Sequence, residues 1–268
     1  MTTLPPALRR QQILRRIQRD GGVSVADLAR DHNVSAVTVH RDLEELARDG
    51  LVERVHGGAR SLGAPAASSG PLPTAWTQRV AQSGDAKAMI AQAALRHVEQ
   101  GATVFLDASS TALALARRLA EEPPNEITLV TNSPAIAYEI QADAVHVVVT
   151  PGELDQHMRM LAGRWTVEFL AQLNFAVAFV SAAGVTLEQG LTTARRPLAD
   201  VVNAARASAE RSVGLIDSAK FGRAALLSIA PAQELDAIVT DPALDLEVAR
   251  AYRAAGVRLE IATTQEST

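Results

Sequence analysis

The feature that most constrains this chain is the stretch from Arg10 to Ala59, RQQILRRIQRDGGVSVADLARDHNVSAVTVHRDLEELARDGLVERVHGGA. Ile13, Leu14 and Ile17 make an apolar stripe at helical spacing, ringed by Arg9, Arg10, Arg15, Arg16 and Arg19. Gly21-Gly22 stops that helix, and Ser24 with Asp27 three residues on opens the next as a variant capping box. His32-Asn33-Val34 is a turn of the length that sets two helices at a steep angle, and Ser35 caps a third helix. Val39, Leu43 and Leu46 fall at i, i+4 and i+7 and turn inward; Val37, His40, Arg41, Glu44 and Arg48 lie on the opposite side. Leu51–Val55, His56-Gly57-Gly58 and Ala59–Leu62 read as a two-stranded wing with glycines at its tip.

Two helices, a tight turn, a third helix and a hairpin are the parts of a winged helix that reads DNA. The residues near the start of the third helix enter the major groove. There Arg41 can bridge the two acceptors of a guanine and Val37 can meet a thymine methyl, with His40 beside them. Ser35, Thr38 and the free N–H groups of the first turn suit phosphate oxygens, and Arg54 and His56 extend the surface along the wing. Double-stranded DNA is the expected partner. The segment VSAVTVHRDLEELARDGLVERVHGGA also resembles the N-terminal signature of DeoR-type bacterial transcription regulators. One position departs from that pattern, since His40 stands where the family usually has Arg.

Overall charge hides this reading. The net charge is −4, but residues 1–62 carry 10 Arg against 8 acidic residues, a balance of +2, while residues 63–268 carry 16 cations against 22 acids, −6. A head so mildly basic makes few phosphate contacts per chain, which points to a homo-oligomer on repeated half-sites. Nearly every cation is Arg; the two lysines are Lys87 and Lys220, and a compact ammonium differs from a guanidinium in reach and hydration. There is no cysteine, so disulfides and thiolate-ligated metals are excluded. The N-terminal MTTLPPALRRQQ lacks the apolar segment of a secretion signal and no apolar run of spanning length occurs. The expectation is a cytoplasmic protein without membrane association.

Residues 63–75, GAPAASSGPLPTA, read as a linker stiffened by Pro71 and Pro73. It separates a first domain, 1–62, from a second, 76–268. In the second, helices at Ser83–Glu99, Thr111–Glu121, Pro134–Gln141, Trp165–Gln172, Leu198–Ala209 and Leu244–Ala255 alternate with short apolar runs. The runs fall at Ala102–Asp107, Ile127–Thr131, Val145–Thr150, Phe175–Ser181, Ser212–Asp217, Leu226–Ile229, Ala237–Thr240 and Val257–Ala262. Such alternation predicts an α/β domain, a mainly parallel sheet with helices on both faces, behind the N-terminal winged helix-turn-helix.

Ligands of parallel sheets sit beyond the carboxyl ends of the strands. Five strand ends here carry small polar residues: Asp107-Ala108-Ser109-Ser110-Thr111, Thr131-Asn132-Ser133, Thr150-Pro151-Gly152, Ser181-Ala182-Ala183-Gly184 and Asp217-Ser218-Ala219-Lys220. Hydroxyls, free N–H groups, glycines and one lysine make a cradle for a small phosphorylated, hydroxyl-rich molecule. The candidate effector-binding residues are Asp107, Ser109, Ser110, Thr111, Asn132, Ser133, Gly152, Gly184, Asp217 and Lys220.

This domain resembles the DeoR-type sensor domain, whose fold is similar to that of ribose-5-phosphate isomerase. The resemblance rests on Thr131–Ser133, Gly184, Gly190, the DSAKFG at Asp217–Gly222, and Lys87 where the family commonly has lysine. It implies that Asp107 opens a phosphate-binding turn. Ser109-Ser110-Thr111 replaces the usual Gly-Thr-Thr, and Pro151-Gly152 the usual paired glycines, so the effector differs from the typical one.

The reading is a DNA-binding regulator, a repressor of a carbohydrate-catabolism operon, released or modulated by a phosphorylated sugar, with no cofactor and no metal. The competing reading is a sugar-phosphate isomerase-like enzyme with an appended DNA-binding domain, for which Asp107, Asp217 and Glu188 are available as bases. A metal sensor is disfavoured, because none of the histidines at 32, 40, 56, 97, 146 and 157 pairs with another at i, i+3 or i+4.

Overall fold

The structure, a computed structural model, describes residues 9–10, 12–14, 16–17, 22–32, 34–55, 58–61, 76–123, 126–156 and 158–263. The chain divides into two compact units, Met1–Pro71 and Leu72–Thr268.

In the first unit the described residues between 9 and 17 are helical. They are followed by β1 (Gly22–Ser24), α1 (Val25–His32), α2 (Ala36–Arg48), β2 (Val52–Val55) and β3 (Gly58–Ser61). Ser35 caps α2 as its sequence predicts, its Oγ accepting the Thr38 N–H at 3.2 Å. Gly50, at φ +69, ends the helix with the Leu51 N–H returning to the Leu46 carbonyl. Ile13, Ile17, Leu28, Val39, Leu43 and Leu46 close one small core. The sheet is a correction to the two-stranded wing: its order is β1-β3-β2, antiparallel throughout. Gly22 begins a third strand rather than only stopping a helix. Beneath α2 the Arg9 guanidinium grips Asp42 with two bonds of 2.6 and 3.2 Å, both side chains buried.

The second unit is built on α3 (Trp76–Ala81), α4 (Gly84–Ala94), β4 (Thr103–Leu106), α5 (Ser110–Glu121), β5 (Ile127–Thr131), α6 (Pro134–Glu139) and β6 (Val145–Val149). The hairpin β7 (Glu153–Asp155) and β8 (Met160–Ala162) comes next. After it come α7 (Arg164–Leu170), β9 (Val177–Val180), β10 (Gly184–Thr186), β11 (Gly190–Thr193), α8 (Arg196–Ala207) and β12 (Ser212–Leu215). The last elements are β13 (Leu227–Ala230), β14 (Ala237–Thr240), α9 (Leu246–Ala254) and β15 (Leu259–Ile261).

Seven strands form one sheet in the order β15-β14-β12-β9-β4-β5-β6, and every pairing in it is parallel. The inner strands β9, β12 and β14 are buried along their whole length, as strands covered on both faces must be. Along β4 the side chains alternate between two cores: Val104 and Leu106 pack with Ile90, Leu113 and Ile136, whereas Phe105 packs with Phe175, Leu170 and Val202. One expected member of the sheet lies elsewhere. The Leu226–Ile229 run supplies β13, which pairs antiparallel with β11 in a separate sheet, β10-β11-β13. From β4 the chain moves outward through β5 and β6, then returns to place β9 on the other flank of β4. The crevice between the carboxyl ends of β4 and β9 is therefore the topological switch point.

Candidate functional site

The reading face of α2 comes first. Val37 is 74% exposed, and His40, Arg41, Glu44 and Arg48 are exposed with it, while Val39, Leu43 and Leu46 are buried. An apolar side chain as open as Val37 at the second position of a helix is what a groove-reading surface needs. Ser35 Oγ and Thr38 Oγ1 lie 2.8 Å apart at the same end. Arg41 has no partner among the described residues, whereas Arg48 is engaged by Glu45 at 2.8 Å. The side chain of Arg54 and the whole of His56 lie outside the described residues. His32, predicted as a turn residue, is the last residue of α1; burial, then Arg9 and Arg16, lowers its pKa.

At the switch point the short stretches after the strands do converge, but with divided tasks. Asp107 is fully buried. One of its carboxylate oxygens accepts the Ser109 N–H at 3.1 Å, and the other the Ser181 N–H at 2.7 Å. It thus ties the end of β4 to the end of β9 across the crevice. Burial raises its pKa, against which the Ser109 and Ser181 bonds and the nearby Lys220 act. Ser109 Oγ accepts the Ala112 N–H at 3.0 Å and caps α5. The N–H groups of Ser110 and Thr111 follow in the first turn of this twelve-residue helix, where no intrahelical acceptor reaches them. The Thr111 hydroxyl is buried and has no hydrogen-bond partner among the described residues.

Lys220 faces Asp107 from the other side of the crevice. Its Nζ lies 3.0 Å from Ser181 Oγ and 3.3 Å from Asp217. The turn that carries it is pinned by Asp241, a residue the sequence reading missed, whose oxygens accept the Ser218 N–H at 2.7 Å and the Ser218 hydroxyl at 2.8 Å. Asp241 follows β14 just as Asp107 follows β4, and that strand-end acid is the signal that was available. Asn132 donates to the Leu161 carbonyl at 2.9 Å and so holds β8, leaving its own Oδ1 buried and unpartnered; Thr150 Oγ1 is in the same condition. Buried polar atoms without partners are uncommon in folded chains, and three of those found here follow β4, β5 and β6 at the ligand-binding edge of the sheet. Ser133 is occupied as the cap of α6.

Two predicted contact residues serve packing. A Cβ on Gly152 would stand 2.1 Å from Thr166 Oγ1, and one on Gly184 would stand 2.3 Å from the Arg223 carbonyl. Lys87 is buried, and its Nζ donates to the carbonyls of Arg79 and Gln82 at the end of α3. Burial lowers its pKa to about 8, with Lys220 and Arg79 pushing the same way and Asp217 opposing. Lys87 therefore secures α3 while lying within the field of the crevice. Among the described residues there is no cluster of side chains that could hold a metal ion, and no helix long and apolar enough to cross a membrane.

Two family models match this chain: the DeoR-like helix-turn-helix domain over residues 9–64 and the DeoR C-terminal sensor domain over residues 82–242. The chain belongs to the DeoR family. It is 32% identical to the HTH-type transcriptional regulator GlpR of Haloferax volcanii over 94% of this chain and 96% of that protein. It is 28% identical to a putative aga operon transcriptional repressor of Escherichia coli O157:H7, over 94% and 92%. Among solved structures, ribose 5-phosphate isomerase A from Methanocaldococcus jannaschii aligns with a TM-score of 0.38 at 19% identity, covering 52% of this chain and 54% of that one. The protein is thus a DNA-binding transcriptional regulator of the DeoR family, with a winged helix-turn-helix and a mainly parallel α/β sensor domain.

Proposed function

We propose that the protein is a cytoplasmic, homo-oligomeric repressor of a carbohydrate-catabolism operon, released from its operator by a phosphorylated sugar. The observation that carries this is the crevice at the switch point. Open N–H groups of α5, the unpartnered Thr111 hydroxyl and the Lys220 ammonium stand on two sides of an Asp107–Ser181 tie. Helix-start N–H groups and an ammonium are what a phosphate dianion requires. Ser110, Thr111 and Lys220 receive the phosphate; Asn132 and Thr150 offer their free oxygens to sugar hydroxyls. Asp107, Ser109 and Ser133 shape the site through the backbone, and Gly152 and Gly184 let neighbouring segments approach.

The relatives support the assignment, since they include the putative aga operon transcriptional repressor and a glycerol-3-phosphate regulon repressor of Escherichia coli. The isomerase alternative needs a carboxylate free to take a proton from carbon. Both oxygens of Asp107 are committed to backbone donors, which argues for a binding site without turnover. The test measures melting temperature and operator gel shifts over a panel of triose, pentose and hexose phosphates. At least one compound raises the melting temperature and weakens the operator complex. Unchanged behaviour over the whole panel, or isomerisation abolished by Asp107→Asn, would overturn the proposal.

A further inference from the structure

Two arginines that the sequence analysis did not single out meet at one turn of the sensor unit. Arg79, on α3, donates from Nη2 to the Met158 carbonyl at 3.3 Å. Arg195, just before α8, reaches Asp155 from Nη1 at 3.3 Å, and the Asp155 carboxylate accepts the Met158 N–H at 2.9 Å. Elements distant in sequence thus bring two guanidiniums to a few residues between β7 and β8. Arg79 is backed by the Trp76 ring, 5.4 Å from its centroid, and its Nε is buried without a partner. Each guanidinium has five donors in a planar fork, and among the described residues what this pair meets is one carbonyl and one carboxylate.

The pair borders the crevice. The hairpin the pair meets is tied to the end of β5, where Asn132 donates to the Leu161 carbonyl at 2.9 Å and its own carbonyl accepts the Leu161 N–H at 2.7 Å. Lys87 binds the Arg79 carbonyl, and the charge of Asp107 acts on Arg79. Four cations (Arg79, Lys87, Arg195 and Lys220) share this region with four carboxylates (Asp107, Asp155, Asp217 and Asp241), of which Asp107 is consumed by backbone donors and Asp241 by Ser218. A phosphate at α5 engages Lys220 and leaves most donors of the two forks unused, since among the described residues Arg79 meets the Met158 carbonyl and Arg195 meets Asp155. Planar forks select carboxylate or phosphate oxygens in pairs.

We propose that Arg79 and Arg195 form a second anion subsite, so that the effector is a sugar derivative bearing two acidic groups: a phosphate, and a second phosphate or a carboxylate. The inference rests on the effector reading above and narrows it to a ligand class. Asp155 holds the Arg195 fork in the free protein, and the ligand's second acid takes that position on binding.

Calorimetric titration of the full chain with matched pairs tests it. The pairs are 3-phosphoglycerate with glycerol 3-phosphate, 6-phosphogluconate with glucose 6-phosphate, and fructose 1,6-bisphosphate with fructose 6-phosphate. In at least one pair the doubly acidic compound binds tenfold or more tightly than its partner. Arg195→Gln, at a side chain 38% exposed, keeps the wild-type melting temperature, removes that advantage and leaves the singly acidic compound's Kd within twofold; Arg195→Lys restores part of it. Equal affinities within every pair, or equal loss for both members in Arg195→Gln, overturn the second subsite while the phosphate reading stands. If no sugar phosphate binds at all, both fall together.

Discussion

Arg41 and Asp42 are neighbours on α2 with opposite duties, and substituting each isolates one of them. Arg41 is exposed and has no partner among the described residues, so Arg41→Ala leaves the melting temperature unchanged and removes operator binding in a gel shift, because a bidentate base contact and its charge go together. Asp42 is buried against Arg9. Asp42→Ala strands a buried guanidinium and costs about 3–5 kcal/mol, read by urea unfolding followed at the head. Lys87 gives a prediction in pH. Its folded-state pKa of about 8 lies below the ordinary lysine value, so between those two values the unfolded chain holds more protons than the folded one. Stability relative to Lys87→Met therefore rises as pH climbs from about 8 towards the lysine range, and is lowest below it. A stability difference between the two proteins that stays flat over that window would show that the ammonium is not desolvated. The division between visible and hidden residues has a simple cause. Arg41 lies on the exposed face of a long helix, and Thr111 and Lys220 follow strand ends, all of which periodicity locates. Arg79 and Arg195 matter because of distant partners, and nothing local in the sequence marks them, whereas Asp241 carries the same strand-end signal as Asp107 and acts through Ser218.

Elements show the same division. The parallel strands were legible as apolar runs of three to five residues, of which β4, β5 and β14 lead into helices, and the long amphipathic helices because their stripes repeat over several turns. The pieces not foreseen, β1, β7, β8, β10, β11 and α3, run to three to six residues, too short for either period to declare itself. Their positions come from tertiary contacts instead. The β10–β11 hairpin shows how tight these are: Gly190 turns at φ +66, and a Cβ there would lie 2.0 Å from the Ala230 carbonyl. Gly190→Ala is strained in its backbone and forces β11 away from β13. A loss of roughly 2–4 kcal/mol in chemical denaturation is expected; a loss within 0.5 kcal/mol would mean that the small sheet does not constrain the turn. Because β11 leads into Arg195, the same variant also weakens the preference for doubly acidic ligands.

For the whole molecule the decisive quantity is a coupling free energy. A repressor that lets go of its operator when a sugar phosphate binds must hold the two ligands with mutually opposed affinities, typically by about 1–3 kcal/mol, or roughly 5–150-fold. Thermodynamic linkage makes that factor symmetric, whatever path carries it. If the phosphate compound with the largest thermal shift weakens operator binding by a given factor, a saturating operator duplex weakens that compound's binding by the same factor. Thr111→Val tests where the factor originates. It keeps the shape of a fully buried side chain and removes a hydroxyl that has no partner among the described residues. The folded state therefore tolerates it, while effector binding falls by about tenfold, as expected for one hydrogen bond to a charged group. Operator affinity without effector is unchanged, because Thr111 takes no part in reading DNA. At full effector occupancy the coupling factor is unchanged as well, since the variant alters how tightly the anion is held rather than which state it favours. Calorimetry with and without duplex, run on both proteins, yields all four numbers. Unequal factors in the two directions would exclude a single coupled equilibrium, and an unaltered effector Kd in Thr111→Val would remove the start of α5 from the site.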